Sequence, residues 1–348
     1  MKHKNLLLTF DFELFLGARS GSVEMCLLKP TKEVMTLINK YNLSTIFFVD
    51  TLYLHRLKEI SKTNKVAACD YGKIISLLKE LIDQKSYIFH HIHPHWLDAI
   101  YIEEINEWDV SNKTRFAINN LLPEEILEVF SYSDAILEEI YDGKTRPDFF
   151  GFRAGGLYSQ PFENYKDQFV LHNIKYDFSV LRNAKSSGDN GLYAFDYSVL
   201  PTENIYCFSQ DMAKKDVNGP FVEILMNQFQ LRGIRKLLNG LYYRKNYKKN
   251  AWQRWGDGKA SGNSVKSTKK SNKLYSEETF SIELLNNYKA DLYINEFKKR
   301  DFLQIISHPK LFSESNIVAT EKFLHSVKKK YDIESDLFMI IERSNISF

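Results

Sequence analysis

Four of the chain's nine histidines fall within six positions, in Phe89-His90-His91-Ile92-His93-Pro94-His95-Trp96 at the end of an apolar run. Imidazole is the commonest protein metal ligand and the usual proton carrier near neutrality. His91, His93 and His95 alternate, so an extended chain sets all three side chains on one side. If the chain turns at Pro94, His91 and His95 still converge, being four apart. The chemistry expected is that of a divalent-metal site. Thr9-Phe10-Asp11-Phe12-Glu13 adds two carboxylates at i and i+2. On a strand they share a face, one able to ligate an ion and the other to accept a proton, while Phe10 and Phe12 face core. A solvated strand end or a helix cap is the plainer alternative.

Three further segments follow apolar runs. In Gly151-Phe152-Arg153-Ala154-Gly155-Gly156-Leu157-Tyr158, a permanently charged arginine precedes paired glycines that let a ligand approach the backbone. Asp177, in Tyr176-Asp177-Phe178-Ser179-Val180, is the expected partner of Arg153. His308 ends Ile305-Ile306-Ser307-His308 and on its own would be a packed or surface histidine. His90 is expected to face core or a neighbouring strand, and His93 to orient a ligand or replace one. Trp96 could floor a binding subsite or pack.

The elements that must position these residues read as alternating strands and helices. Strands are expected at 6–10, 44–50, 87–91, 149–153, 176–180, 205–209 and 302–308, with a last one at 337–341. Helices are expected at 31–41, 74–82, 123–141, around 165–172 and at 313–330. The pattern predicts a mostly parallel sheet or barrel, with the candidate residues at strand C-terminal ends, where such folds place their sites.

The 348 residues are 44% hydrophobic, enough for one large α/β domain or two average ones. A net charge of +3 from 47 basic and 44 acidic residues does not suggest a nucleic-acid binder overall. Cys26, Cys69 and Cys207 make neither a disulfide framework nor a thiolate cage, and fit a reducing compartment. The first apolar run is too short for a secretion signal, and no run is long enough to span a membrane, so a cytoplasmic protein of enzyme size is expected. Residues 231–273 differ from the rest, with thirteen lysines and arginines against Asp257 alone. The first half is amphipathic and helical; the second, 256–271, is a Gly/Ser/Lys-rich loop. We read the whole as an insertion. Its interleaved Tyr242, Tyr243, Tyr247, Trp252 and Trp255 would suit stacking on bases, a peripheral membrane contact or an anionic glycan, with a solvated loop the plain alternative. A nucleic-acid partner is not expected.

Taken in order, these segments resemble the motif series of the polysaccharide deacetylases, carbohydrate esterase family four. Thr9-Phe10-Asp11 is similar to the family's first motif, with Asp11 at the base position. His91-Ile92-His93-Pro94-His95 keeps its His-x-x-x-His spacing. Gly151–Gly156, Tyr176–Val180 and Ile305–His308 resemble the third, fourth and fifth motifs, and 44–49 resembles the family's second strand. The resemblance covers about 6–180 plus His308 and omits the insertion. It implies one domain over 1–348 with a distorted, incomplete (β/α) barrel. It also implies a metal, Zn²⁺ with Co²⁺, Ni²⁺ or Mn²⁺ as alternatives, held by Glu13, His91 and His95. Asp11 would be the base, His308 the acid, and Arg153 with Asp177 would hold Asp11. The sequence departs from the pattern where Phe12 replaces the second Asp, Gly155 the proline, and Ile92 the Ser/Thr. The activity implied is de-N-acetylation of an amino sugar or glycan in surface-polysaccharide biosynthesis, such as O-antigen or capsule. The alternatives are O-deacetylation, cleavage of another amide, or a catalytically silent glycan-binding or scaffold relative.

Overall fold

The structure, a computed structural model, describes residues 1–187, 194–260 and 275–344. Nine strands form one sheet: β1 (Lys2–Phe12), β2 (Thr45–Asp50), β3 (Ser86–Ile92), β4 (Phe150–Ala154), β5 (Ile174–Asp177), β6 (Ile205–Phe208), β7 (Phe221–Ile224), β8 (Phe302–Ser307) and β9 (Tyr331–Glu334). The hydrogen-bonded order is β6-β7-β5-β4-β3-β2-β1-β8, with β9 on the N-terminal half of β1. Only β6 and β7 pair antiparallel. The central strands are buried on both faces, as in β2, where all six residues are buried; hence they read as continuous apolar runs.

The two ends of that path, β6 and β8, do not pair with each other as strands among the described residues. Side chains link β8 to the chain just beyond β7 instead. The Gln304 backbone N–H donates to Asn227 Oδ1 at 2.7 Å. With its amide oriented to suit its neighbours, Gln304 donates to the carbonyls of Ile224 and Leu225 and accepts from Arg153 Nη2.

Helices α1 (Lys29–Asn39), α2 (Thr51–Ser61), α3 (Lys65–Asp83), α4 (Pro123–Tyr141), α5 (Lys166–Leu171), α6 (Gly233–Asn246), α7 (Asn287–Lys299), α8 (Glu314–Lys328) and α9 (Leu337–Arg343) complete the chain. Their starts follow sequence chemistry. Pro123 opens α4, with Glu125 reaching back to the Leu122 N–H at 2.9 Å, and Asn64 caps α3 through Val66 and Ala67. The strand expected at 337–341 is α9: Asp336 accepts from the N–H groups of Phe338 and Met339, the signature of a helix start. The last strand is β9 instead.

Most of the loop expected at 256–271 lies outside the described residues, at 261–274. The stem of the insertion is an antiparallel hairpin of Gln228–Arg232 with Tyr275–Thr279, from which α6 rises.

Candidate active site

The sequence keeps β1 extended through Phe12, so its residues alternate. Phe10 stacks on Phe47 in the core, while Asp11 turns inward and Glu13 follows on the same side. Both carboxylates are buried, at 5% exposure each. Arg153, at the end of β4, is fully buried and makes an ion pair with Asp11 Oδ1. Its remaining donors reach the Phe178 carbonyl at 3.2 Å and Thr9 Oγ1 at 3.0 Å, and its guanidinium lies 4.0 Å from the Phe48 ring centroid. Burial pushes the Asp11 carboxyl up, but Arg153, then His91 and His308, outweigh it, so Asp11 titrates below its ordinary value.

The backbone stays extended from β3 through His93, which preserves the two-residue alternation of His91 and His93. Pro94 then opens a tight turn, Pro94–Asp98, that lays His95 parallel to Phe116 at 5.5 Å, with its ring centroid 5.1 Å from that of His93. The donors that converge are therefore Glu13, His91 and His93, with their ligand atoms within 4.8 Å of one another. Glu13 Oε2 is 2.8 Å from His93 Nε2 and 3.5 Å from His91 Nε2, and the two imidazole nitrogens are 3.0 Å apart. His91 Nδ1 donates to the Arg153 carbonyl at 2.8 Å, which turns Nε2 into the cluster.

This donor set fits a divalent ion. Two imidazole nitrogens and a carboxylate oxygen facing one another this closely need a cation between them, a proton or a metal. No hydrogen bond of sound geometry reaches Glu13 Oε2 or His93 Nδ1 among the described residues. Burial lowers the His91 pKa, but Asp11 and Glu13 outweigh it and raise it to about 9. Gly155 leaves room for this arrangement, since a Cβ there would lie 2.6 Å from His93 Nδ1.

His308, which follows β8, also reaches the two carboxylates. Its Nε2 is 3.5 Å from Asp11 Oδ2 and 3.7 Å from Glu13 Oε1, while Nδ1 is 2.8 Å from Glu283 Oε1. Burial opposes protonation of His308, but Glu283, then Asp11 and Glu13, prevail and raise its pKa. Lys310, two residues on, donates to Glu13 Oε1 at 2.9 Å and to the Leu14 carbonyl at 2.7 Å. Against the burial cost, Lys310 and the two histidines hold the Glu13 carboxyl well below the ordinary range.

Asp177 does not take the place expected for it beside Arg153. It accepts from the N–H and hydroxyl of Ser179, both at 2.9 Å, and faces Glu223 across the β5–β7 pairing. Both acids have zero exposure. Burial raises both pKa values, and the Asp177 charge adds to that of Glu223, which is pushed well above the ordinary range. One proton held between the two satisfies both shifts.

Trp96 is fully buried, packed on Tyr53 and Trp108, and its indole N–H donates to Asp50; it floors no open subsite. Burial, only partly offset by His93 and His91, raises the Asp50 carboxyl to about 6. His90 is also fully buried, with Nδ1 2.8 Å from Ser133 Oγ, and burial lowers its pKa to about 3. Lys310, Glu223 and Glu283 were not singled out in the sequence. Lys310 and Glu223 carry a recognisable signal: Lys310 shares parity with His308 past the strand, and Glu223 is a lone acid inside the apolar run Phe221–Met226.

No family model matches the chain, and no curated protein matches it in sequence. Solved structures align along most of the chain, with low scores. A family 4 carbohydrate esterase from Streptomyces lividans, in complex with acetate, is 9% identical, with a TM-score of 0.40 over 95% of this chain and 91% of that one. A polysaccharide deacetylase from Bacillus cereus is 11% identical, with a TM-score of 0.39 and the same coverages of 95% and 91%. A GH57 branching enzyme from Thermococcus kodakaraensis is 11% identical, with a TM-score of 0.43 over 98% of this chain and 71% of that one. Likenesses of this grade leave the side chains to carry the functional reading.

Proposed function

We propose that the chain is a metal-dependent deacetylase that removes acetate from an N-acetylated amino sugar. The observation that carries this reading is the convergence of groups on Asp11: its Oδ2 lies 4.0 Å from His91 Nε2, a member of the three-donor cluster Glu13, His91 and His93, and 3.5 Å from His308 Nε2. We read the open sheet as an incomplete barrel carrying one catalytic domain.

Bound by Glu13, His91 and His93, a zinc-like ion would supply a Lewis acid for the acetamide carbonyl and for the attacking water. His95, the ligand expected from spacing, takes no part in this reading. Asp11, fixed by Arg153, takes the proton of the attacking water. His308 Nε2 gives its proton to the leaving nitrogen, while Glu283 holds Nδ1. The turn at Gly155–Leu157, left-handed at Gly156 and Leu157, would supply backbone N–H groups to the developing oxyanion. Water adds across the amide, the C–N bond breaks, and acetate and a free amine leave.

The substrate class we propose is a surface-polysaccharide precursor such as one for O-antigen or capsule, met in the cytoplasm. Incubating zinc- or cobalt-loaded protein with N-acetylated and O-acetylated sugars tests this. Acetate and a new primary amine in equal amounts are expected. Acetate from esters alone would reassign the enzyme.

One contact favours a second reading. Lys310 already neutralises Glu13 Oε1, so a chain that takes up no metal would be a silent, glycan-binding relative.

A further inference from the structure

The insertion presents an amphipathic helix turned inside out. Ile234, Leu237, Leu238 and Leu241 recur at helical spacing along one face of α6, and are 72, 62, 43 and 52% exposed. The opposite face, against the protein, carries Lys236, Asn239 and Asn246 together with half-buried Tyr242, which lies against Tyr288 and Trp252. Asn246 is the helix's one buried residue among those described. Lys236 Nζ donates to the Tyr275 carbonyl at 3.2 Å, and Asn239 Oδ1 accepts from Asn286 at 3.4 Å. Just past the apolar face, Tyr243 and Tyr247 stack with centroids 5.7 Å apart and are 54 and 42% exposed. A helix that only covered the body would point its leucines inward.

We propose that α6 is a docking surface for an anionic lipid bilayer. Charge selects that occupant: residues 231–256 hold eight lysines and arginines and no acid. A second copy seated on the same face would set these cations against themselves across a two-fold axis. A bilayer accepts both parts, with the leucines entering the acyl boundary, the tyrosines at headgroup depth and the cations on lipid phosphates. The far end of the insertion closes on the rim of the candidate site. The Trp255 N–H donates to the Phe312 carbonyl at 2.8 Å, and a Cβ on Gly256 would lie 2.2 Å from the Lys310 carbonyl. Bilayer contact would thus act on the element that borders Lys310 and Glu13.

The test is co-sedimentation of the full chain with vesicles of phosphatidylcholine, alone or with about a third phosphatidylglycerol, at low and high salt. The expected result is pelleting with the anionic vesicles at low salt and release by high salt. Leu237→Glu/Leu241→Glu should abolish pelleting. Arg235→Gln, Arg244→Gln and Lys245→Gln should each weaken it roughly fivefold. Because these side chains are exposed, melting temperature and turnover of a soluble N-acetylated substrate should stay as in the parent. Failure to bind therefore counts against this surface and leaves the deacetylase reading intact. No pelleting by the parent at low salt overturns the proposal. So does pelleting that the double glutamate variant leaves unchanged. A dimer that forms without lipid and dissociates in that variant would assign the face to a second copy instead.

Discussion

Two pairs of buried acids lie along this sheet, and their titrations shift in opposite directions. Asp11 and Glu13 meet Arg153, Lys310 and three imidazoles, and both titrate below their ordinary values. Asp177 and Glu223 are buried just as deeply, yet mainly face each other and Ser179, and both titrate above theirs. Burial is the same in kind; the difference is which neighbours share the low-dielectric space. The first pair is ready to accept protons and hold a cation. The raised values of the second pair favour a proton held between its two acids, while Arg153 makes its ion pair with Asp11.

The sharpest way to break the comparison is to remove the charge from one acid of each pair. Asp11→Asn should lower deacetylation by roughly 10²–10⁴ with the fold retained. Glu223→Gln should stay within a few-fold of the parent, because glutamine keeps the shape and donor of a protonated glutamate. Equal losses in kcat for both would erase the distinction. His308→Ala should also cost roughly 10²–10⁴ in turnover while leaving metal content intact. If it deacetylates as fast as the parent, the proton donor lies elsewhere.

Arg153→Met probes the first pair through stability. It strands Asp11 without its main counter-charge, and the expected loss is about 3–5 kcal/mol by urea denaturation. Adding Asp11→Asn to that variant should recover part of the loss. No recovery would mean that Arg153 acts through its other partners, Phe178, Thr9, Gln304 and Phe48.

The smallest effect is the pH dependence. In the unfolded chain both Asp177 and Glu223 ionise above about pH 4, whereas the folded pair keeps a proton to higher pH. Across that window the folded state binds more protons, so this pair's contribution to stability falls as pH rises. Glu223→Gln should remove that fall, gaining on the order of 1 kcal/mol on the parent between weakly acidic and weakly alkaline pH. Urea midpoints that run parallel across this range would show the pair to be ionised. For Asp11 and Glu13 the sign is reversed. Their depressed values contribute stability above the unfolded carboxylate range, and it is lost as pH falls through the folded values.

Much of this was legible in the residues. Period-two alternation set Asp11 with Glu13, and each of the strands that carry the site showed as an apolar run ending in a polar residue. Spacing pointed to His95, whereas the donors that lie together are Glu13, His91 and His93, because spacing alone does not say where an extended chain stops: His93 is still extended and Pro94 begins the turn. The expected Arg153–Asp177 contact failed for a different reason. Glu223 arrives from a strand whose neighbour in the sheet, β5, lies far away in sequence, and only the register across β5 and β7 brings them together. Leu337–Ile341 was ambiguous as a short apolar run, and the Asp336 cap was the cue that separated helix from strand.

The most direct test of the account is metal content per chain, measured by mass spectrometry on untagged protein purified without chelator. The parent is set beside His91→Ala, His93→Ala and His95→Ala. The account predicts about one zinc-like ion per chain in the parent and in His95→Ala, and a large loss in the other two. An ion that survives His93→Ala but not His95→Ala, or a parent that takes up none even when zinc is supplied, would contradict it.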